Sequence, residues 1–100
     1  MAKGARLTFY CDEADTQEGK PTFELLVKRA EQLKCRHVVV SSGILGSRKG
    51  SGSGYLADQL PVIVEIIAEE ARMKTLLSFA NKLMNNGTAT LEEVELLSSE

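Results

Sequence analysis

The sequence predicts one α+β domain with the element order β-α-β-β-α-β, in which a four-stranded antiparallel sheet carries both helices on one face. Three observations favour this class. The chain has 100 residues, 43% of them hydrophobic, which suits a single domain. Apolar residues alternate with a period of two in short segments, and they recur with a period near 3.6 in two longer segments. We therefore treat residues 1–100 as one domain.

The first strand and the first helix occupy the first third of the chain. Leu7, Phe9 and Cys11 alternate with Arg6, Thr8 and Tyr10, which predicts a strand with one apolar face. An acidic loop over residues 12–19 follows, and Pro21 marks a helix start because the first helical turn does not need its missing N–H. One stripe of this helix is apolar and comprises Phe23, Leu26, Val27, Ala30 and Leu33.

Two further strands flank a glycine-rich segment. The second strand is predicted over residues 36–44 and the third over residues 60–67, with Pro61 at its start, where it removes no ladder hydrogen bond. Five of the eight glycines fall between residues 43 and 54. We expect residues 45–57 to form a long flexible loop, because this composition cannot bury a core.

A second helix and a fourth strand complete the chain. Glu69 and Glu70 mark the helix start, since the positive end of a helix favours acidic residues. Asn86-Gly87 ends it, because glycine suits the position just past a helix, and residues 88–97 form the last strand. The apolar stripe of this helix comprises Met73, Leu76, Leu77, Ala80, Leu83 and Met84. The complete order is that of the ferredoxin-like fold.

The middle strands carry more apolar residues than two helices can cover. Residues 38–40 and 62–64 are apolar at every position, whereas a sheet covered on one face should alternate. An alternative explanation of these apolar runs is the general preference of β-branched residues for strands. Contiguous exposed apolar patches are rare, so we expect another copy of the chain to cover the open face.

Composition excludes several classes of function. A net charge of −2 argues against a duplex-binding protein, and five aromatic residues without tryptophan argue against a single-strand stacking platform. No apolar run approaches the roughly 18–20 residues of a membrane span, and no secretion signal is visible. We expect a cytoplasmic protein in which Cys11 and Cys35 are free thiols. The sequence does not say whether either thiol has a redox role.

The glycine-rich loop is the first candidate for a binding site. Residues 43–50 join glycines to a hydroxyl group and two cations, Arg48 and Lys49. Backbone N–H groups in glycine-rich turns can hold an anion, and cationic side chains add charge-assisted hydrogen bonds to phosphate. The segment does not match the Walker A pattern. On composition alone, a solvated hairpin tip explains this segment as well as an anion-binding loop does.

Other chemistry-bearing residues give weaker signals. His37 lies in a strand with no serine-histidine-acid order around it, so we interpret it as structural or interfacial, and we assign no catalytic residue. Glu65 interrupts an apolar strand and needs a partner if it is buried, with Arg6 or a neighbouring subunit as candidates; otherwise it faces a solvated channel. No metal site is predicted, because the acidic cluster lacks the pattern of a calcium loop; this cluster comprises Asp12, Glu13 and Asp15.

Four segments together resemble the PII-like signalling proteins, and above all the small PII-like group known as a conserved domain of unknown function. The resemblance extends over residues 6–97 and includes the long loop between the second and third strands. The matching segments are Gly19-Lys20-Pro21, Gly46-Ser47-Arg48-Lys49-Gly50, Leu60-Pro61-Val62-Ile63-Val64-Glu65-Ile66 and Thr90-Leu91-Glu92-Glu93-Val94. The Gly-Ser-Arg run is also similar to the loop base of PII-like proteins tied to bicarbonate transport and carboxysomes.

The resemblance implies a homotrimer that binds an adenine nucleotide in each cleft between subunits and signals to a protein partner through its loop, called the T-loop. Gly43, Gly46, Ser47, Arg48 and Lys49 would line the phosphates, with Ile44 at the loop base. The second phosphate-side turn would comprise Asn86, Gly87 and Thr88, and the residues near the base would be Ile63, Glu65 and Ile67. Inorganic-carbon signalling is the implied context, with bicarbonate as a further ligand.

Departures from the family pattern bear on the ligand. Ile44 stands where an aromatic residue often follows the first loop glycine, and the turn at residues 85–87 has no cation. The chain has no basic C-terminal segment to reach a triphosphate. We therefore expect AMP or ADP to bind better than ATP. Tyr55 is at most a weak candidate for modification, and the sequence names neither the regulated partner, a transporter or an enzyme, nor the preferred nucleotide.

Three other kinds of protein share this strand order and are alternatives to a signalling protein. A small hydrolase of acyl phosphates or phosphoanhydrides needs an arginine cradle, for which Arg6 and Asn86 are not convincingly placed. A metal-responsive trimer of the CutA type rests on architecture alone. An RNA-recognition module needs stacking aromatic residues, which are absent from residues 62–64. Slow hydrolysis of a bound nucleotide stays compatible with the leading hypothesis of a non-catalytic sensor.

Overall fold

The computed structural model describes residues 2–43, 61–83 and 87–97. It confirms the predicted fold class. The elements are β1 (Ala2–Asp12), β2 (Thr16–Gln17), β3 (Lys20–Pro21), α1 (Thr22–Gln32), β4 (His37–Ser42), β5 (Pro61–Glu69), α2 (Glu70–Ala80) and β6 (Thr88–Leu96). One antiparallel sheet has the strand order β4-β5-β1-β6, and a small hairpin pairs β2 with β3.

The hydrophobic core lies between the sheet and the two helices. The predicted apolar face of β1 is confirmed, since Leu7, Phe9 and Cys11 are all buried. β5 alternates in the same way and buries Val64 and Ile66. The helices contribute the buried residues Leu26, Ala30, Met73, Leu76 and Ala80. Period-2 strands and period-3.6 helices therefore meet in one core, as the sequence pattern predicts.

One of the two apolar middle strands of the sequence, β4, lies at the edge of the sheet. β4 pairs with β5 alone among the described strands, whereas β1 and β5 form the centre. Val38 packs against the core, and Val39, with 46% of its surface exposed, lies on the opposite face. The apolar run in β4 therefore belongs to an edge strand. The crossover through α1 places it there, a relationship that the local pattern does not encode.

The predicted acidic loop contains a hairpin. Glu18 and Gly19 have φ values of 52° and 82°, the left-handed conformation that a two-residue type I′ turn requires at both central positions. The Thr22 N–H donates a hydrogen bond to the Asp15 carbonyl at 2.8 Å. The hairpin is therefore held against the start of α1, where Pro21 occupies the N-cap position.

Both helices end earlier than their apolar stripes predict. α1 ends at Gln32, and Lys34 takes a left-handed φ of 58°. The N–H of Cys35 bonds to the Ala30 carbonyl at 3.1 Å, and the N–H of Lys34 bonds to Glu31, which together form a Schellman motif. α2 ends at Ala80, short of the predicted end at residues 86–87, and a 3₁₀ turn (Asn81–Leu83) follows.

Across the residues that the structure describes, neither helix has the length and hydropathy needed to cross a membrane.

Candidate functional site

The face of the sheet opposite the helices, here called the open face, carries most of the predicted site residues that the structure describes. Strand register lines its side chains up in rows across the sheet, because residues directly opposite in an antiparallel pair share a face. Three of these rows are Ser41–Ile63–Tyr10–Thr88, Val39–Glu65–Thr8–Thr90 and His37–Ile67–Arg6–Glu92.

Glu65 has a partner that sequence reasoning missed. His37 Nε2 lies 3.0 Å from Glu65 Oε2, and the two side chains are 40% and 38% exposed. The pairing is diagonal, since His37 is directly opposite Ile67, two residues beyond Glu65. The interpretation of His37 as a structural residue is consistent with this contact.

Arg6, the other candidate partner of Glu65, instead pairs with Glu92. Arg6 Nε and Nη2 both donate to Glu92 Oε1. The hydrogen bond to Glu92 raises the pKa of the Arg6 guanidinium above its usual value, and the charges of Glu92 and, more weakly, Glu65 act in the same direction. Of the partners that the sequence left open for Glu65, Arg6 is thus engaged by Glu92 instead.

Four predicted site residues lie at one end of the sheet. The Gly43 N–H donates to the Pro61 carbonyl at 2.9 Å, which extends the ladder between β4 and β5. Ile63 is opposite Tyr10, and Tyr10 is opposite Thr88. Gly87 directly precedes β6 at the same end.

Gly87 lies in tight surroundings that leave little room for a side chain. A Cβ atom there would lie 3.0 Å from Phe9 Cζ and 3.1 Å from the Tyr10 carbonyl oxygen. The second distance involves backbone, which cannot move aside as a flexible side chain can. From the sequence, Gly87 was assigned to the position just past a helix end. The structure gives a further reason for glycine at this position, which is the close approach of Phe9 and Tyr10 on β1.

The remaining described residues of the predicted site extend away from this end. Glu65 and Ile67 follow Ile63 by two and four positions along β5, or about 7 Å and 13 Å at the rise of a strand. The other predicted residues, Ile44, Gly46, Ser47, Arg48, Lys49 and Asn86, and the predicted T-loop at 45–57, lie outside the described residues.

Gly43 and Thr88, which each belong to one of the two predicted phosphate-side segments, lie at opposite edges of the sheet. Gly43 follows the edge strand β4, and Thr88 begins the other edge strand, β6. With β5 and β1 between these edge strands, the separation is three strand spacings, about 14 Å. Within one chain, Gly43 and Thr88 are therefore too far apart to contact the same phosphate group.

A polar cluster away from the open-face rows was not predicted. Arg36 Nε donates to Glu69 Oε2 at 2.7 Å, and Arg72 Nη1 donates to the Lys34 carbonyl at 2.7 Å, with Glu69 Oε1 at 3.9 Å. The hydrogen bond from Arg36 holds the pKa of the Glu69 carboxyl below its usual value. Burial raises the pKa of the nearby Cys35 thiol. The i,i+3 spacing of Glu69 and Arg72 was the one sequence signal for this cluster.

Metal binding finds no support in the described ranges, which bring no three histidine, cysteine or acidic side chains together as a ligand group.

Solved structures share this architecture. CPII, a nitrogen regulatory PII-like protein from Thiomonas intermedia K12 bound to ADP, AMP and bicarbonate, superposes with a TM-score of 0.67 at 12% identity over 98% of this chain and 97% of that chain. The GlnK–ATP complex of B. subtilis superposes with a TM-score of 0.60 at 13% identity over 94% and 84%. The fold is therefore that of the PII-like proteins.

Sequence comparison identifies the family within that class. The DUF190 family model, described as "Uncharacterized ACR", matches residues 4–96. A UPF0166 protein of Aquifex aeolicus (strain VF5) is 33% identical over 102 residues, which cover 97% of this chain and 96% of that protein. The chain belongs to the DUF190 family, and the resemblance stated from its motifs is confirmed.

Proposed function

We propose that this protein is a non-catalytic, PII-like regulator that assembles as a homotrimer and binds an adenine nucleotide in each cleft between subunits. One observation carries the proposal. Gly43 and Thr88, one residue from each predicted phosphate-side segment, lie on opposite edges of one sheet, so a phosphate group could contact both where the β4 edge of one copy faces the β6 edge of the next. A ring closed by such head-to-tail contacts forms three equivalent clefts.

The open face supports assembly as well. Tyr10 and Val39 are 40% and 46% exposed there, and Ile63 and Ile67 are half-buried. These side chains form an apolar surface around the His37–Glu65 pair, and contiguous apolar surface of this kind marks interaction sites. A second and a third copy of the chain would remove it from water.

ADP and AMP are the proposed nucleotides, and bicarbonate is the proposed further anion. CPII, which shares the fold, binds ADP, AMP and bicarbonate. In this chain the predicted phosphate contacts include two cations, Arg48 and Lys49, so a diphosphate is matched better than a triphosphate. We propose inorganic-carbon regulation, through a transporter or an enzyme in the cytoplasm, as the physiological context.

The loop at residues 45–57 is the proposed signalling element. Ordering a glycine-rich segment costs roughly 1–2 kcal/mol per residue in backbone entropy. Phosphate hydrogen bonds can offset this cost at the loop base, but the tip lies beyond their reach. Ligand binding should therefore order the base and leave the tip for a protein partner.

Calorimetry and sedimentation test this function together. At protein concentrations of roughly 100 µM or more, ADP and AMP should release heat with one site per chain, and ATP should bind more weakly. Sedimentation should give three times the mass of the chain. The double variant Arg48→Ala/Lys49→Ala should lose affinity for ADP, whereas Lys28→Ala/Lys74→Ala, which removes two exposed helical lysines, should not. Absence of heat with all three nucleotides would overturn the proposal.

Release of inorganic phosphate separates a sensor from a hydrolase. A sensor should release far less than one phosphate per chain in the time that an enzyme would turn over many times. Sustained multiple turnover would favour a hydrolase.

A further inference from the structure

The residues below the β2–β3 hairpin line a small polar cavity that is partly open to solvent. The Thr22 side chain is 2% exposed, and its Oγ1 atom has no hydrogen-bond partner within the described structure. This hydroxyl lines a cavity of about 10 Å³, together with Cys11, Asp15, Gln17 and Gly87. The cavity therefore lies where the hairpin, the start of α1 and the end of β1 meet.

A buried hydroxyl without a partner costs free energy, because folding removes its hydrogen bonds to water and supplies none in return. Native structures usually resolve this cost with an internal water that bonds to several otherwise unsatisfied groups. An isolated polar atom that faces a cavity thus indicates a ligand of matching size.

The size and charge of the cavity identify that ligand. A water molecule needs roughly 10–15 Å³ of accessible space, which matches the cavity volume of about 10 Å³. The Asp15 carboxylate on the wall disfavours an anion. The positive N-terminal end of α1 disfavours a cation. A neutral water that both donates and accepts hydrogen bonds satisfies both conditions.

We propose that one ordered water occupies this cavity, bonds to Thr22 Oγ1 and to polar groups of residues 15–17, and joins the hairpin to the core. The hairpin meets α1 directly through the Thr22 N–H and the Asp15 carbonyl. The water adds a second link between the same segments. Gly87 also lines the cavity, so the water lies where the hairpin approaches the start of β6. This proposal does not depend on nucleotide binding.

The sign of one stability change tests the proposal. Thr22→Val keeps the shape of the side chain and removes the hydroxyl, and the two residues have similar helix propensities. If the hydroxyl binds a water, the variant loses that hydrogen bond, and its unfolding equilibrium constant should rise about fivefold, the size of one net hydrogen bond. If the cavity is dry, the substitution removes an unsatisfied polar group and stabilises the protein. An unchanged or lowered unfolding constant would overturn the proposal.

Two further measurements keep the test decisive. Thr75→Val makes the same change on the exposed face of α2 and should leave the unfolding constant within about twofold. In the wild-type protein, nuclear Overhauser spectra should show contact between the Thr22 methyl group and a long-lived water. Absence of that contact in a spectrum that resolves the methyl signal contradicts the proposal even if Thr22→Val does not fold.

Discussion

His37 Nε2 and Glu65 Oε2 lie 3.0 Å apart on the open face of the sheet, where the edge strand β4 pairs with β5. Apolar side chains surround the pair on β4 and β5, including Val39 and Ile67. In an isolated chain both groups are about 40% exposed, so water competes with their hydrogen bond. In the proposed trimer the same pair would be enclosed, and its strength would change accordingly.

A double-mutant cycle on His37→Ala and Glu65→Ala should therefore reveal whether the face is covered. Exposed ion pairs give coupling energies of about 0.2–1 kcal/mol, whereas enclosed charged pairs at interfaces reach about 1.5 kcal/mol or more. We expect the larger value, measured as the change in free energy of unfolding at one fixed protein concentration. A parallel cycle on Arg29 and Gln32, an exposed pair on α1, supplies the reference for an uncovered contact. Coupling no larger than that reference would contradict coverage of the face.

The Arg36–Glu69 ion pair should make folding sensitive to acid. Its hydrogen bond lowers the pKa of Glu69 in the folded protein, so folding gains stability above the unfolded-state pKa of a glutamate and loses it as the pH falls through the lower folded value. Glu69→Gln should thus lower the melting temperature most at neutral pH, and the difference from wild type should narrow below about pH 4. Melting curves from pH 7 to pH 2.5 measure it.

Glu70→Gln is the matched control, because Glu70 is exposed in the first turn of α2 and directly follows Glu69. Its effect should be small and should vary little with pH compared with that of Glu69→Gln. Parallel pH dependence in the two variants would refute the assignment to the Arg36 contact.

Lys34→Gly should stabilise the protein. Lys34 has a φ of 58° at the position of the Schellman motif where glycine is normally found, and a side chain carries a conformational cost there. The backbone hydrogen bonds of the motif and the bond from Arg72 to the Lys34 carbonyl do not involve the lysine side chain. We expect a gain of about 0.5–1 kcal/mol in the free energy of unfolding, measured with denaturant.

The same substitution in the middle of α1 should have the opposite sign. Lys28→Gly places glycine at an exposed helical position, where it costs about 1 kcal/mol. If both variants are destabilised by similar amounts, the strain attributed to Lys34 is not present.

Gly87→Ala should destabilise the fold through a collision with β1. The new methyl group would meet the Phe9 ring and the Tyr10 carbonyl oxygen within 3.1 Å, and overpacking of this kind costs about 1–3 kcal/mol. Denaturant unfolding of the nucleotide-free protein measures this cost without any contribution from ligand binding.

Substitutions at Gly19 serve as a comparison for those at Gly87, because they test backbone strain without a steric collision. A Cβ atom at Gly19 would meet nothing within 4 Å, but the residue has a φ of 82°. Gly19→Asn should therefore be tolerated better than Gly19→Ala, because asparagine accepts the left-handed conformation. At Gly87, asparagine should be at least as harmful as alanine, and a rescue there would disprove the steric explanation.

The local periodicity of the sequence predicted the elements and the fold class. Alternation at Leu7, Phe9 and Cys11 and the helical stripe through Leu26 and Ala30 depend on neighbours along the chain, and β1 and α1 meet the core through these predicted faces. The family motifs carried the PII-like resemblance in the same way, since they are short segments of local sequence.

The sequence did not determine pairings between distant segments. The diagonal contact of His37 with Glu65, the pairing of Arg6 with Glu92 and the edge position of β4 all depend on strand order and register. The hairpin at Glu18 was missed because its type I′ turn normally carries asparagine or aspartate at that position.

The sequence by itself thus determined the four main strands, the two helices and their order, because propensity and hydrophobic period act over a few neighbours. Only the tertiary structure decided where Gly43 and Thr88 lie relative to each other. It placed Gly43 and Thr88 on opposite edges of one sheet, because the two β-α-β halves interleave and put β5 and β1 between them. That separation supports a site shared between copies of the chain.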